Sequence, residues 1–531
     1  MRVPDENSPE LGTLAGASYG KCGSATWLWW SKVFGPLVNP TRLRHVIIIL
    51  SILTVIRLWA AAYIGLAPDE TYYWLWSQSP ALGYSDHPPV VAWSIWLSTR
   101  VLGDSAIGIR IPSILSVLVT SAAVFGTARQ LFSSRSIALR AVLWFNAMIL
   151  IGVGAIFITP DAPSTMFWAL AVWALSVISR GGSPRFWLLV GLFAGLGCDS
   201  KYTNFFLGLG IFSWILVDPS ARRWLLNPWF AAGGVIAALI FLPVLLWNAQ
   251  HDWISFSMQF GRLEIHQITG GYLGEYLISQ VGLLNPIVAL FFGVSGLAAL
   301  KAGRGRGFEP GIFLIALMSP LLLYMTLHAL HDRVQANWLA PIYPLIAILA
   351  ASGAENTPLG LRTLLARSVV PLGTVVSVGA LMYLAAPISL PLSIESPAAR
   401  LEGWRSFSAN IESLSNESGA GWVATVNYDV NAELSYYQRG AKPVREIAER
   451  YRYEVSVLDK ALVNQTALLV LSERQKASGR FDHCFASVEP ISEISRQGAN
   501  GVIERYIVEL ARNAPVDIIS AGCHKHHSVQ E

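Results

Sequence analysis

The chain has 531 residues, of which 53% are hydrophobic and only 14% are charged, where a soluble protein of this size carries about 25% charged residues. This excludes an ordinary soluble globule and points to a polytopic membrane protein, with 20 Trp suited to the membrane interfaces and 44 Gly suited to close helix contacts. The net charge of +4 is small, and without a Lys/Arg-rich tract or nucleic-acid motif it reads as basic cytoplasmic loops, not as nucleic-acid binding.

Residues 1–45 do not have the form of a cleaved signal peptide, because the run Trp27–Trp30 is short and Lys32 follows it. They are expected to form a cytoplasmic lead-in. Apolar stretches long enough to cross a bilayer then recur at 46–66, 109–128, 138–158, 161–179, 186–198, 203–217, 229–248, 276–300, 311–330, 336–353 and 368–388. The expectation is a helical membrane domain over 46–388 with about eleven spans.

The loops set the orientation. Arg42 and Arg44 precede the first span, and Arg129, Arg135, Arg140, Arg180, Arg185, Arg222, Arg223, Lys301, Arg304, Arg306, Arg362 and Arg367 all fall in loops of the same parity. The positive-inside rule makes that side the cytoplasm. The alternate loops hold Arg100, Arg110, Lys201, Arg262 and Arg333. The amino terminus is therefore expected inside, and residues 389–531 outside.

That tail is more charged and reads as a small α/β domain. GWVATVNYDV suggests a strand, NAELSYYQRG a helix ending at Gly440, and TALLVLSERQ a buried strand. Four cysteines are present, none at zinc-site spacing. Cys484 and Cys523 both lie in the tail, where oxidation is permitted, so a disulfide is expected. His524, His526 and His527 read as a solvated tail, with metal binding as the alternative.

Chemistry concentrates in the first outer loop, 67–108, which carries Asp69, Glu70, Asp86 and Asp104 among aromatic residues. Pro88 to Leu102 suits a second helix lying near the interface. A carboxylate pair beside a span can serve as a general base, hold a cation or position a sugar. The plainer reading is an acidic turn with Asp69 as a helix N-cap.

The segments PDETYYWLWSQ and GYSDHPPVVAW resemble the first outer loop of the GT-C glycosyltransferases, in particular the bacterial branch related to protein O-mannosyltransferases, aminoarabinose transferases and lipopolysaccharide-core galacturonosyltransferases. The resemblance continues in TPDAPSTMFWAL, LGCDSKYTNFFLGLG, LPVLLWNAQHDWISF and QANWLAPIYP, and spans residues 45–350; the set is specific and each piece alone is weak. It implies an inverting transferase with a polyprenyl-phosphate sugar as donor and a glycolipid, glycan or protein hydroxyl as acceptor. It also implies Asp69 as catalytic base with Glu70 assisting or orienting. His87 stands where some relatives have a Lys that meets the lipid phosphate, and a His need not be charged at neutral pH.

Nucleotide sugars are cytoplasmic, so a transferase acting outside needs a lipid-carried donor, and its phosphate leaving group needs cationic or N–H partners. Arg333, Lys201 and His87 are the candidates. For Lys201, beside Asp199, the alternative is an interfacial lysine or a salt bridge. Arg262 is a weaker candidate. Tyr73, Tyr84, Asp86 and Asp161 are the expected sugar- or acceptor-binding residues. Asp86 and Asp161 read equally as helix caps, and Tyr84 as an interface anchor. His251 and Asp252 precede Trp253, which favours a plain anchor there. No metal is required by this scheme, though Asp69 and Glu70 could hold a divalent cation. The competing reading is a lipid or solute transporter. Against it, no matched pair of interrupted spans recurs between the halves, and the acids cluster at one surface, not at mid-membrane.

Overall fold

The computed structural model describes residues 42–261, 268–302, 308–355, 360–388, 396–453, 457–481, 483–520 and 522–523. The amino-terminal lead-in, Arg262, Arg304, Arg306, His524, His526 and His527 lie outside them.

Helices run in chain order as α1 (Leu43–Tyr63), α2 (Pro68–Gln78), α3 (Val90–Leu102), α4 (Ala106–Phe132), α5 (Arg135–Ala147), α6 (Ile149–Gly154), α7 (Asp161–Ser179), α8 (Phe186–Cys198), α9 (Phe205–Val217), α10 (Pro228–Gln250), α11 (Ile254–Phe260), α12 (Gly271–Leu283), α13 (Pro286–Ala302), α14 (Pro310–His328), α15 (Tyr343–Gly353) and α16 (Leu361–Ala385). Seven stretches among the described residues are long and apolar enough to cross a membrane, namely α1, α4, α7, α10, α14, Ala336–Gly353 and α16. The chain is a multi-pass helical membrane protein. Ile47, Ile52 and Val55 of α1, Val235, Leu239 and Leu246 of α10, and Val375 and Met382 of α16 are exposed. Such outward apolar faces suit lipid.

The other four of the eleven expected crossings are modified by the structure. The stretch 276–300 is not one straight span: α12 and α13 meet at 104°, because Pro286 forbids helical continuation and Asn285 turns with φ 70°. The stretch 138–158 breaks at Met148 into α5 and α6. Helices α8 and α9 have 13 residues each, which at ~1.5 Å per residue falls short of the ~30 Å apolar core. Gly191 of α8 and Gly233 of α10 let two backbones touch: a Cβ on Gly191 would stand 2.0 Å from the Gly233 carbonyl oxygen.

Arg57 of α1 is buried and donates to Asn146 Oδ1 at 2.9 Å and to the Ile151 carbonyl at 3.3 Å, as a polar group in a low-dielectric interior must.

Beyond α16 the chain forms α17 (Trp404–Glu417), β1 (Trp422–Thr425), α18 (Tyr428–Tyr437), β2 (Val444–Glu446), β3 (Ala467–Ser472), β4 (Ser487–Gly498) and β5 (Gly501–Arg512). The sheet order is β2-β1-β3-β5-β4, parallel from β2 to β3 and antiparallel thereafter. Strands β1 and β3 are buried throughout, which is why they read as continuous apolar runs. The expected strand at 421–430 ends early, at Thr425, and the helix expected at 431–440 starts earlier, at Tyr428. Gly440 follows that helix with φ 83°. Cys484 and Cys523 are disulfide-bonded, with Cα atoms 5.7 Å apart.

Candidate active site

The short helix α2 organises the site. Pro68 opens it, Asp69 and Glu70 occupy its first turn, and Glu70 accepts the Ala67 N–H at 2.9 Å. Acids here complement the helix dipole. The two carboxylates then diverge. Glu70 is fully buried and saturated: Arg110 Nε donates to it at 2.8 Å, Arg110 Nη2 at 2.6 Å, and the Ile158 N–H at 3.1 Å. Arg110, itself buried, also donates to the carbonyls of Ala61, Ile64 and Gly65. Glu70 has no capacity left for a substrate, and its geometry is that of an orienting residue.

Asp69 instead lines a cavity of about 160 Å³ together with Tyr73, His87, Asp161, Lys201, His328 and Asn337. Its Oδ1 accepts a hydrogen bond from Tyr428 Oη at 3.0 Å. Tyr428 belongs to α18, so the C-terminal domain reaches the carboxylate. Burial, and then the charge of Asp69, pushes the Tyr428 phenol up, which keeps it a donor. Tyr73, one helical turn after Asp69, is buried, and burial with the negative field of Asp69, Asp86 and Asp161 holds its phenol well above the usual range.

Lys201 reaches the same cavity but is paired: its Nζ lies 2.6 Å from Asp161 Oδ1, and both side chains are nearly buried. Asn337 Nδ2 donates to Asp161 Oδ2 at 2.6 Å. The cavity thus holds an ion pair at one wall and a carboxylate bonded to a phenol at the other. His87 and His328 line the cavity as well.

The fold agrees with solved glycosyltransferases. The crystal structure of ArnT from Cupriavidus metallidurans bound to undecaprenyl phosphate superposes with a TM-score of 0.64 at 15% identity, covering 87% of this chain and 97% of that one. A family model described as dolichyl-phosphate-mannose-protein mannosyltransferase matches residues 86–247. A lipid A galacturonosyltransferase of Rhizobium johnstonii is 28% identical over 389 residues, 70% of this chain and 78% of the relative. The chain is a membrane glycosyltransferase with a GT-C-like fold. An undecaprenyl phosphate-alpha-4-amino-4-deoxy-L-arabinose arabinosyl transferase of Edwardsiella ictaluri is 27% identical over 324 residues, and the chain spans about half of it, 55% of its length.

Against this GT-C frame, three expected site residues sit elsewhere. Arg333 does not line the Asp69 cavity: it is exposed and held 2.5 Å from Glu275 of α12, a carboxylate that neutralises it. Tyr84 is buried, stacked on Trp76 with centroids 4.4 Å apart, and its hydroxyl donates to the Trp76 carbonyl while accepting the Ala81 N–H. It braces the loop and lies outside the Asp69 cavity. Asp86 pairs with Arg452 of the C-terminal domain at 2.5 Å and accepts from Tyr72 Oη at 2.8 Å, so it fastens two parts of the molecule. The cap roles expected for Asp86 and Asp161 as side-chain acceptors do not appear: α3 and α7 have no side-chain cap bond.

Residues missed by sequence reasoning are Tyr428, Arg452, His328 and, as the partner of Glu70, Arg110. Arg110 was visible as a rare outer-side cation next to a loop rich in acids. The others carried no signal, since each acts across a long chain separation: 359 residues divide Tyr428 from Asp69. Among described residues His483, Cys484 and Cys523 cluster within metal-binding distance, but the two cysteines are spent on their disulfide.

Proposed function

We propose that this enzyme transfers a sugar from a polyprenyl-phosphate carrier to a lipid A-type glycolipid on the periplasmic face of a bacterial inner membrane, with inversion at the anomeric carbon. The amino terminus is cytoplasmic and the α/β domain periplasmic in this reading. The observation that carries it is Asp69: the acid of the outer loop that opens into a cavity, with no cation partner among the described residues, beside a neighbour, Glu70, that is wholly consumed by scaffolding. The donor class is supported by the relatives, which are named for undecaprenyl-phosphate sugars and for lipid A. The same relatives are transferases and lend nothing to the transporter reading.

In the reaction, an Asp69 oxygen accepts the proton of the acceptor hydroxyl as that oxygen bonds to the anomeric carbon. The bond from that carbon to the lipid phosphate oxygen breaks with its electron pair, and phosphate leaves from the opposite face. Tyr428 fixes the Asp69 rotamer. Lys201 and His87 meet the departing phosphate, Lys201 by exchanging Asp161 for it, which frees Asp161 with Tyr73 to bind sugar hydroxyls. No divalent cation is needed in this scheme; EDTA should leave turnover unchanged, and loss restored by added magnesium would refute that part.

Mass spectrometry of envelope glycolipids from cells lacking the chain tests the proposal. A missing sugar restored by wild type and not by Asp69→Asn is the expected result. An unaltered glycolipid profile in the deletion strain would overturn the acceptor, and rescue by Asp69→Asn would overturn the base.

A further inference from the structure

A second and larger cavity, about 410 Å³, lies at the seam between the outer loop and the C-terminal domain. Its volume falls in the range of small-molecule sites, ~300–1,000 Å³. Trp76 and Trp247 line it from the membrane domain, and Arg445, Glu446, Arg450 and Tyr451 from the α/β domain. Helix α2 serves both cavities: Asp69 and Tyr73 line the first and Trp76 lines the second.

Two features describe what fits. The first is aromatic: Trp76 stacks on Tyr84, and Trp247 stacks on His251 with centroids 4.0 Å apart. Gly83 lets the loop lie against Trp247, since a Cβ there would come within 2.6 Å of the indole. The second is charge: the guanidiniums of Arg445 and Arg450 share one carboxylate, Asp459. Glu446, fully buried, binds the N–H groups of Ala448 and Glu449, and burial pushes its carboxyl up to about 7, which weakens its opposing charge.

We propose that the seam cavity is the acceptor subsite and that it binds an acidic saccharide. Sugar rings lie along the aromatic walls, and a carboxylate or phosphate substituent pairs with Arg445 and Arg450. The acceptor assignment rests on the transferase reading above; the binding site itself does not.

The test uses the full chain in phospholipid nanodiscs. Saturation-transfer NMR measures binding of glucose, glucuronate and glucose 6-phosphate to wild type, Arg445→Gln and Ser79→Trp, Ser79 being an exposed lining residue. Wild type should bind an acidic probe at least ~10-fold more tightly than glucose, Arg445→Gln should erase that preference, and Ser79→Trp should block all three. Glucuronate against glucose 6-phosphate separates a carboxylate ligand from a phosphate ligand. In transfer assays both variants should raise the acceptor KM about 10-fold. Equal binding of glucose and the acidic probes to wild type, or binding undisturbed by both variants, overturns the site. Variant-sensitive acidic binding by a wild-type chain that transfers no sugar overturns the transferase reading alone and leaves the site standing.

Discussion

The outer loop is fastened at its start and midway along it by an acid and an arginine, and the two pairs differ in kind. At its start Glu70 and Arg110 are sealed inside the membrane domain with side chains 1% and 0% exposed, and every oxygen of Glu70 is bonded. Midway along it Asp86 and Arg452 are each 14% exposed and join the loop to the C-terminal domain. The first pair fixes where Asp69 points; the second fixes what covers it. The lesson is that adjacent acids in one motif divide the labour, because only one of them is left with an unfilled coordination shell.

The sharpest break of this comparison lies between the anchors. Asp69→Asn should lower turnover about 10²–10⁴-fold with the protein still folded, read from single-turnover transfer of labelled donor. Removing the inner anchor, Arg110→Ala, strands a buried carboxylate and should cost about 3–5 kcal/mol of stability. The measurement is thermal unfolding in detergent, and an unchanged midpoint would show that Glu70 and Arg110 are not the scaffold. The outer anchor should be gentler: Arg452→Gln should leave the membrane domain folded, raise protease access to the C-terminal domain, and cut transfer by roughly 10-fold.

Smaller effects sharpen the picture further. Tyr428→Phe removes one hydrogen bond to Asp69, worth about 1–2 kcal/mol, and should lower kcat several-fold while shifting the acidic limb of the pH–rate profile upward. A purely structural role for Tyr428 would leave that limb in place. The smallest effect is expected at Glu446, whose carboxyl is raised by burial from 4.5 to about 7. The native state holds this proton longer than the unfolded chain, so its stabilising contribution is complete below pH 4.5 and is lost as pH rises through about 7. Glu446→Gln should flatten the fall in C-terminal-domain stability over that interval, followed by pulse proteolysis.

Much of this was readable in the residues. The membrane class followed from the apolar runs, and the importance of residues 67–108 from four acids beside a span. The tail domain followed from its change in charge, and the disulfide from two cysteines in that tail. Asp69, His87, Asp161, Lys201 and Tyr73, named from far-apart motifs, line one cavity. What could not be read were the partners. Nothing in the local sequence distinguishes Arg333, which spends its charge on Glu275, from Lys201, which faces the cavity. Residues 276–300 read as one straight span, and the 104° bend at Asn285–Pro286 was not legible in them.

The solvent of each segment follows from its residues alone, since hydropathy and charge are properties of single residues summed over a window. The helix starts at Pro68, Pro228 and Pro310 follow for the same local reason. Which carboxylate is spent and which is available, which arginine is neutralised, and that Tyr428 meets Asp69 were settled by folding in three dimensions. Those outcomes depend on hydrogen-bond and ion-pair completion across hundreds of residues, and that completion exists only once the chain has closed on itself.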